Sequence, residues 1–356
     1  MDKPVIRSNW TNGMISFFLL SILSWLVVGC GADPILHNEF AFNGSTMGTT
    51  YHIVLVGEPI DAPMRSRIAT SIDSVLKDFN QILSTYETHS EISRFNRNET
   101  SGPIPISSEL AHVVASGLHF CNESNGAFDI TVMPIVNFFG FGFEPGEDRF
   151  PTVEEIDSWL LLTGCDKIEV GDSTLTKADP RVSIDLSAIA KGDASDHLSD
   201  FLIGNGFNNI FVEIGGEIMT HGVNKFGKPW RIGIDRPNFS GAPGADLQHV
   251  IELSNMAVAS SGDYRKYREV EGKRITHAID PRTGSPIKHN LAAVTVISKT
   301  CMNADGLATS VMVLGQENGF DWLEAYPDAE GLLITRETDG TFKEYLTSGF
   351  GQYLAD

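Results

Sequence analysis

Segments of strand period and helix period follow one another along this chain in no regular alternation, and that order narrows the fold more than any other feature. Tyr51-His-Ile-Val-Leu-Val56 reads as a strand. Ile68, Ile72, Val75, Phe79 and Ile82 then recur at spacings of four and three, which predicts an amphipathic helix. A second helix fits Ser107–Ser124, and a third starts at Thr152, with Glu155 completing a capping box. Ser183–Leu186 reads as a strand end, followed by a helix from about Ser187, a strand over Asn209–Ile214, the pair Gly215-Gly216 and a further strand. Strands near Gln248–Leu253 and Ala292–Ser298 precede helices from about Asn303 and Asn318, and the Gly/Pro-rich stretch Asn238–Asp246 reads as an exposed loop. The expectation is an α+β fold, mixed sheets with packed helices in a single large domain, rather than a doubly wound sheet.

The N-terminus sets the address. Lys3 and Arg7 precede an uncharged apolar run, Met14–Val28, which is short for a membrane span of about 20 residues. It ends in Val27-Val28-Gly29-Cys30, small residues leading into a cysteine. The shape is that of a secretory signal, and its ending looks like a bacterial lipobox. The expected organisation is a signal over residues 1–29, a tether over 30–39 and one domain over 40–356. Cys30 would carry lipid, and Gly31 after it favours the outer membrane of the envelope. An uncleaved N-terminal anchor is the alternative; both put the rest of the chain outside the cytoplasm.

The net charge of −20 makes nucleic acid and anionic lipid surfaces poor partners. It also means that a phosphate-bearing ligand needs local positive charge or a metal ion. Beyond Cys30, only Cys121, Cys165 and Cys301 remain, and their wide spacing suggests neither a disulfide framework nor a zinc site. They read as buried small apolar residues.

Three clusters carry chemistry. In Asn303-Ala-Asp-Gly-Leu-Ala-Thr309, Asp305 and Thr309 lie one helical turn apart. A carboxylate and a hydroxyl so placed suit a hard cation such as Mg²⁺; alternatively Asp305 is an ordinary first-turn acid. In Ser183-Ile-Asp-Leu-Ser-Ala-Ile-Ala-Lys191, Ser187 is a plausible N-cap, and Lys191 adds positive charge at a helix start suited to anions. Asp185 is placed to accept from a ribose or a flavin-like ring; a capped surface helix is the plainer alternative. Gly215-Gly216 is either a tight turn or a backbone that a ligand approaches closely. In Lys273–Asn290, His277 and Asp280 run into a turn through Pro281 and Gly284, and Asp280 either braces the turn or orients the imidazole.

With the upstream stretches Asn43–Leu55, Ile82–Asn96 and Ser124–Gly142, these clusters resemble the ApbE family of FAD:protein FMN transferases, of the periplasmic lipoprotein type. The resemblance runs from about Phe40 to about Thr335. It implies an ApbE-like, T-fold-related architecture, with FAD as substrate and Mg²⁺ as cofactor. It also implies transfer of FMN to a threonine hydroxyl of a partner protein with release of AMP. Flavin-contacting positions match Met47, Tyr86, Ala127, Phe128, Asp129, Asp185, Lys191 and Ile279. Metal-ligand positions match Ala188, through its carbonyl, Asp305 and Thr309. The family suggests flavin-bearing subunits of membrane redox complexes of Nqr or Rnf type as acceptors. The threonine needs a base, and His277 is the candidate; a purely structural histidine is the alternative. Two other readings remain: an FAD pyrophosphatase giving FMN and AMP, and a non-catalytic flavin-binding lipoprotein, against which the joint presence of Asp305, Thr309 and His277 argues.

Overall fold

A computed structural model of the chain describes residues 37–238, 244–264 and 266–355. The signal, Cys30 and most of the expected tether lie outside the described residues, as does the centre of the loop expected over Asn238–Asp246. Among the described residues no helix is long and apolar enough to cross a membrane.

Eight strands build the main sheet: β1 (Asn38–Thr46), β2 (Thr49–Gly57), β3 (Asn209–Ile214), β4 (Glu217–His221), β5 (Ala257–Gly262), β6 (Leu291–Ser298), β7 (Ala329–Arg336) and β8 (Phe342–Leu346). They lie side by side in chain order, and every neighbouring pair is antiparallel. β1 therefore begins within the expected tether, before Phe40. Connections between antiparallel neighbours need no crossover helix, so the helices enter as insertions and cover the sheet where apolar side chains demand it.

Strand β6 shows the layering, because all of its residues are buried. Val294 and Val296 join the large core under the helices. Ala293 and Ile297 face a second core, closed by the hairpin of strands Trp230–Asp235 and Leu247–Leu253 through Ile232, Ile251 and Leu253. Alternation along a strand with both faces covered produces this division.

Five helices matter for the site: α1 (Ala62–Leu83), α2 (Ser108–Glu123), α3 (Ala190–Gly204), α4 (Cys301–Leu314) and α5 (Gln316–Glu324). α1 starts where Asp61 accepts from the Met64 amide at 2.8 Å, and it buries Ile68, Ile72, Leu76, Phe79 and Leu83. Val75 and Ile82, expected on its buried stripe, lie only partly buried beside that stripe. The Thr152–Glu155 capping box forms as expected on the short helix Val153–Leu160.

Two expectations fail. Ser183–Leu186 is not a strand, and α3 begins at Ala190 rather than near Ser187. Cys121 and Cys165 are joined in a disulfide, so among the described residues only Cys301 is a buried free thiol.

Candidate functional site

The first wall of the site follows the end of α2. Asn125 and Gly126 take left-handed conformations, φ 52° and 76°, and turn the chain back so that the Gly126 amide donates to the Cys121 carbonyl at 2.8 Å. The reversal presents Ala127, Phe128 and Asp129. The Phe128 amide donates to Ser124 Oγ at 2.9 Å. Asp129 Oδ1 accepts from the Thr131 amide and hydroxyl at 2.8 and 2.7 Å. Burial raises the pKa of this carboxyl, while the Thr131 bonds oppose the rise.

The second wall is a charge cluster where α3, α4 and β4 meet. Asp185 Oδ1 accepts from the Ser187 amide and hydroxyl at 2.8 and 2.5 Å, so Ser187 serves a local turn instead of capping a helix. Lys191 therefore sits in the first turn of α3. Its Nζ lies 2.8 Å from Glu217 Oε1 and 3.7 Å from Asp305 Oδ2. Burial works against the ammonium, yet Asp305 and Glu217 together raise its pKa. Burial pushes Asp305 up to about 7 against the pull of Lys191. The Gly192 amide also donates to Asp305 Oδ2, at 3.2 Å. Gly215, between β3 and β4 at φ 67°, has its α-carbon so close that an added Cβ would stand 2.8 Å from the Thr49 side chain and 3.3 Å from Lys191 Cδ. Only glycine fits this tight turn beside the lysine.

The third wall is the segment from the strand Lys273–Thr276 to the two-residue strand Ile279–Asp280. His277 lies between them. Its Nδ1 is 3.2 Å from the Lys266 carbonyl. A carbonyl only accepts, so Nδ1 is assigned the proton and Nε2 is left with its lone pair. Burial lowers the pKa of the ring, which keeps it neutral. Asp280 does not orient His277: its carboxylate accepts from the Arg282 amide, Nε and Nη2 at 3.0, 2.8 and 2.8 Å and braces the turn.

The three walls enclose one cavity of about 290 Å³. Ala127, Phe128 and Asp129 line it from the first wall; Asp185, Ala188, Lys191, Asp305 and Thr309 from the second; His277 and Ile279 from the third. Met47 and Tyr86 are not in the lining. Met47 occupies the β1–β2 turn at φ 50°, half-buried against the core. Tyr86 is 67% exposed, and its hydroxyl donates to the Gly142 carbonyl at 3.1 Å, beside the cavity-lining Phe141. Burial and the nearby Asp185 charge raise its pKa.

Sequence reasoning missed Glu217, directly after the glycine pair. It is 4% exposed, lines the cavity, and its Oε2 has no hydrogen-bond partner. A carboxylate directly after the Gly215-Gly216 pair was the available signal. Phe141, inside the Ser124–Gly142 stretch, also lines the cavity, as do Ser260, Ser261 and Met312, which no motif marks.

The chemistry of the donors fits a hard cation. Asp305 and Glu217, both buried, share the Lys191 ammonium, and Glu217 Oε2 has no hydrogen-bond partner, so an oxygen donor is left open in the cavity. Among the described residues no group of three or more His, Cys, Asp or Glu side chains forms a cage. One carboxylate, one hydroxyl and one carbonyl is instead a sparse set of oxygen donors, which suits Mg²⁺ shared with substrate phosphates.

A helix-covered antiparallel sheet with a cavity that joins an apolar and aromatic wall to a lysine–carboxylate cluster defines a class. The chain matches the ApbE family over residues 47–333 and belongs to it. It is 40% identical over 347 residues to the FAD:protein FMN transferase of Vibrio cholerae, covering 98% of this chain and 99% of that one. The corresponding protein of Haemophilus influenzae is 42% identical over 315 residues, 87% of this chain and 90% of that one. Among solved structures, the flavin transferase ApbE from Vibrio cholerae superimposes with a TM-score of 0.81 at 41% identity, covering 89% of this chain and 100% of that one. The apo flavinyl transferase ApbE of Pseudomonas stutzeri gives 0.80 at 36% identity, covering 91% of this chain and 99% of that one.

Proposed function

We propose that the protein transfers FMN from FAD to a threonine hydroxyl of a partner protein, with Mg²⁺ as cofactor and AMP as leaving group. The observation that carries this reading is that His277, Asp305 and Thr309 border the same cavity as the Ala127–Asp129 wall. Family membership and the relatives' shared name support the same activity.

The acceptor oxygen attacks the phosphorus nearer the flavin; the bond from that phosphorus to the bridging oxygen breaks, and AMP departs with the bridging oxygen. His277 Nε2 takes the threonine proton as the new phosphoester forms. The Lys266 carbonyl fixes the tautomer, and burial keeps the ring unprotonated. Lys191 supplies positive charge to the pyrophosphate, and Glu217 holds that lysine in place. Asp305, Thr309 and the Ala188 carbonyl would hold Mg²⁺, whose charge would neutralise phosphate oxygens in a reaction governed by positioning and electrostatics. Phe128 and Ile279 give the ring system an apolar surface, and Tyr86 and Met47, outside the lining of the cavity, complete the flavin contacts.

The proposed setting is the bacterial envelope, facing the periplasm, with the chain anchored through lipid on Cys30. The Cys121–Cys165 disulfide supports this, because disulfides persist in oxidising compartments. Acceptors there are flavin-bearing subunits of membrane redox complexes of Nqr or Rnf type. The test is incubation with FAD, Mg²⁺ and such a subunit, followed by intact-mass measurement. A gain equal to FMN less water supports the proposal. FAD cleavage with an unmodified subunit points to a pyrophosphatase, and intact FAD to a binding protein.

A further inference from the structure

The Ala127–Asp129 wall is held from both ends by the same covalent link. At one end the Cys121 carbonyl accepts from the Gly126 amide at 2.8 Å, and nearby Ser124 Oγ accepts from the Phe128 amide at 2.9 Å. At the other end Cys165 directly follows Gly164. The Gly164 amide donates to Thr131 Oγ1 at 2.9 Å, and that hydroxyl donates onward to Asp129 Oδ1 at 2.7 Å. The disulfide joins these ends across 44 residues of sequence and closes a ring of contacts around the wall. Thr131 is 1% exposed, and neither it nor the two cysteines line the cavity. Whatever they contribute to flavin binding passes through Phe128 and Asp129.

The wall itself is a turn without helix or strand bonding of its own. A turn that the ligand must order lowers affinity by the entropy lost on binding, whereas one ordered beforehand does not. We propose that the Cys121–Cys165 disulfide and Thr131 form one positioning clamp that holds Phe128 and Asp129 in flavin-binding geometry, so that FAD affinity depends on a closed disulfide. This rests on the FMN-transferase reading above. A mere staple behaves differently: it acts chiefly on the unfolded chain and leaves ligand affinity alone while the protein is folded.

The test compares the whole protein in five forms: wild type, Cys121→Ser with Cys165→Ser, Thr131→Val, Thr131→Ser, and Thr131→Val combined with both cysteine changes. FAD dissociation constants are read by flavin fluorescence well below each melting temperature, and amide exchange is followed over residues 126–132 and over α4. The clamp predicts that the disulfide variant and Thr131→Val each weaken FAD binding about tenfold. Combined, they should weaken it by less than the product of the two effects, since members of one network are not additive. Thr131→Ser keeps the hydroxyl and should bind FAD as wild type does. Exchange over 126–132 should accelerate in the disulfide variant while α4 stays protected. A lower melting temperature with unchanged FAD affinity and unchanged exchange reduces the disulfide to a staple and overturns the proposal. Should the disulfide variant not fold, equal affinities for wild type, Thr131→Val and Thr131→Ser overturn it equally well. If wild type itself does not bind FAD, the transferase reading falls and the proposal with it; wild-type FAD binding that both variants leave unchanged overturns the clamp alone.

Discussion

His277 carries the sharpest single-residue expectation. With Nδ1 committed to the Lys266 carbonyl, only Nε2 is free to take a proton. Burial lowers the pKa of the ring from its ordinary value of about 6.5. The neutral base therefore persists below that value, and the acid limb of the transfer rate should fall at a pH under about 6.5. The same shift means that the unfolded chain binds the proton more readily, so stability attributable to this ring is present above about 6.5 and is lost as pH drops. His277→Ala should cut transfer roughly 10²–10⁴-fold while FAD still binds; a wild-type single-turnover rate in that variant would return His277 to a structural role. Asp305→Ala should act otherwise. It removes the one charged donor expected for Mg²⁺, so FAD cleavage and FMN transfer should fall together, with partial recovery when Mg²⁺ is raised. Loss of transfer alone, with FAD cleavage intact, would contradict that assignment.

At the scale of elements, the crossing of α3 over the start of α4 holds the charge cluster together. Gly192 makes that crossing possible: a Cβ there would lie 2.5 Å from the Cys301 carbonyl oxygen and 2.7 Å from the Met302 α-carbon. Both are backbone atoms and cannot swing aside. Gly192→Ala gains about 1 kcal/mol of helix propensity but meets an overpacking cost of about 1–3 kcal/mol. The clash should win, lowering the denaturation midpoint. It should also weaken FMN transfer, because the Gly192 amide is itself bonded to Asp305.

The elements that could be read from the sequence were those with local signals. The stripe of α1, the capping box at Thr152 and the one-turn spacing of Asp305 and Thr309 all needed only near neighbours. Ser187 misled because a serine after Asp185 looks like an N-cap, whereas its hydroxyl donates back to that aspartate. The disulfide was illegible because nothing between Cys121 and Cys165 announces that the end of α2 meets the turn at Gly164. Glu217 escaped because its importance comes from Lys191 and Asp305, which reach it from two other elements.

For the whole molecule, the main sheet has a simple order in space and a difficult one in time. β1 and β2 are joined by a tight turn, yet β2 pairs with β3, so that Val56 lies opposite Asn209. Everything between them, including α1, α2 and the flavin wall, is made before the N-terminal hairpin finds its second neighbour. A chain in the course of synthesis would therefore display the apolar β2 edge unpaired until more than half its length is made, the condition in which strands recruit other chains. Refolding should be slow and concentration-sensitive for this reason, since long-range pairings form late. Fragments ending before Asn209 should aggregate, whereas fragments reaching past Ile214 should stay in solution longer. Equal solubility of the two sets would show that the edge is shielded by other means. Until residues 209–214 have been made, β2 has a partner along one edge alone, and its other edge is open to any strand it meets.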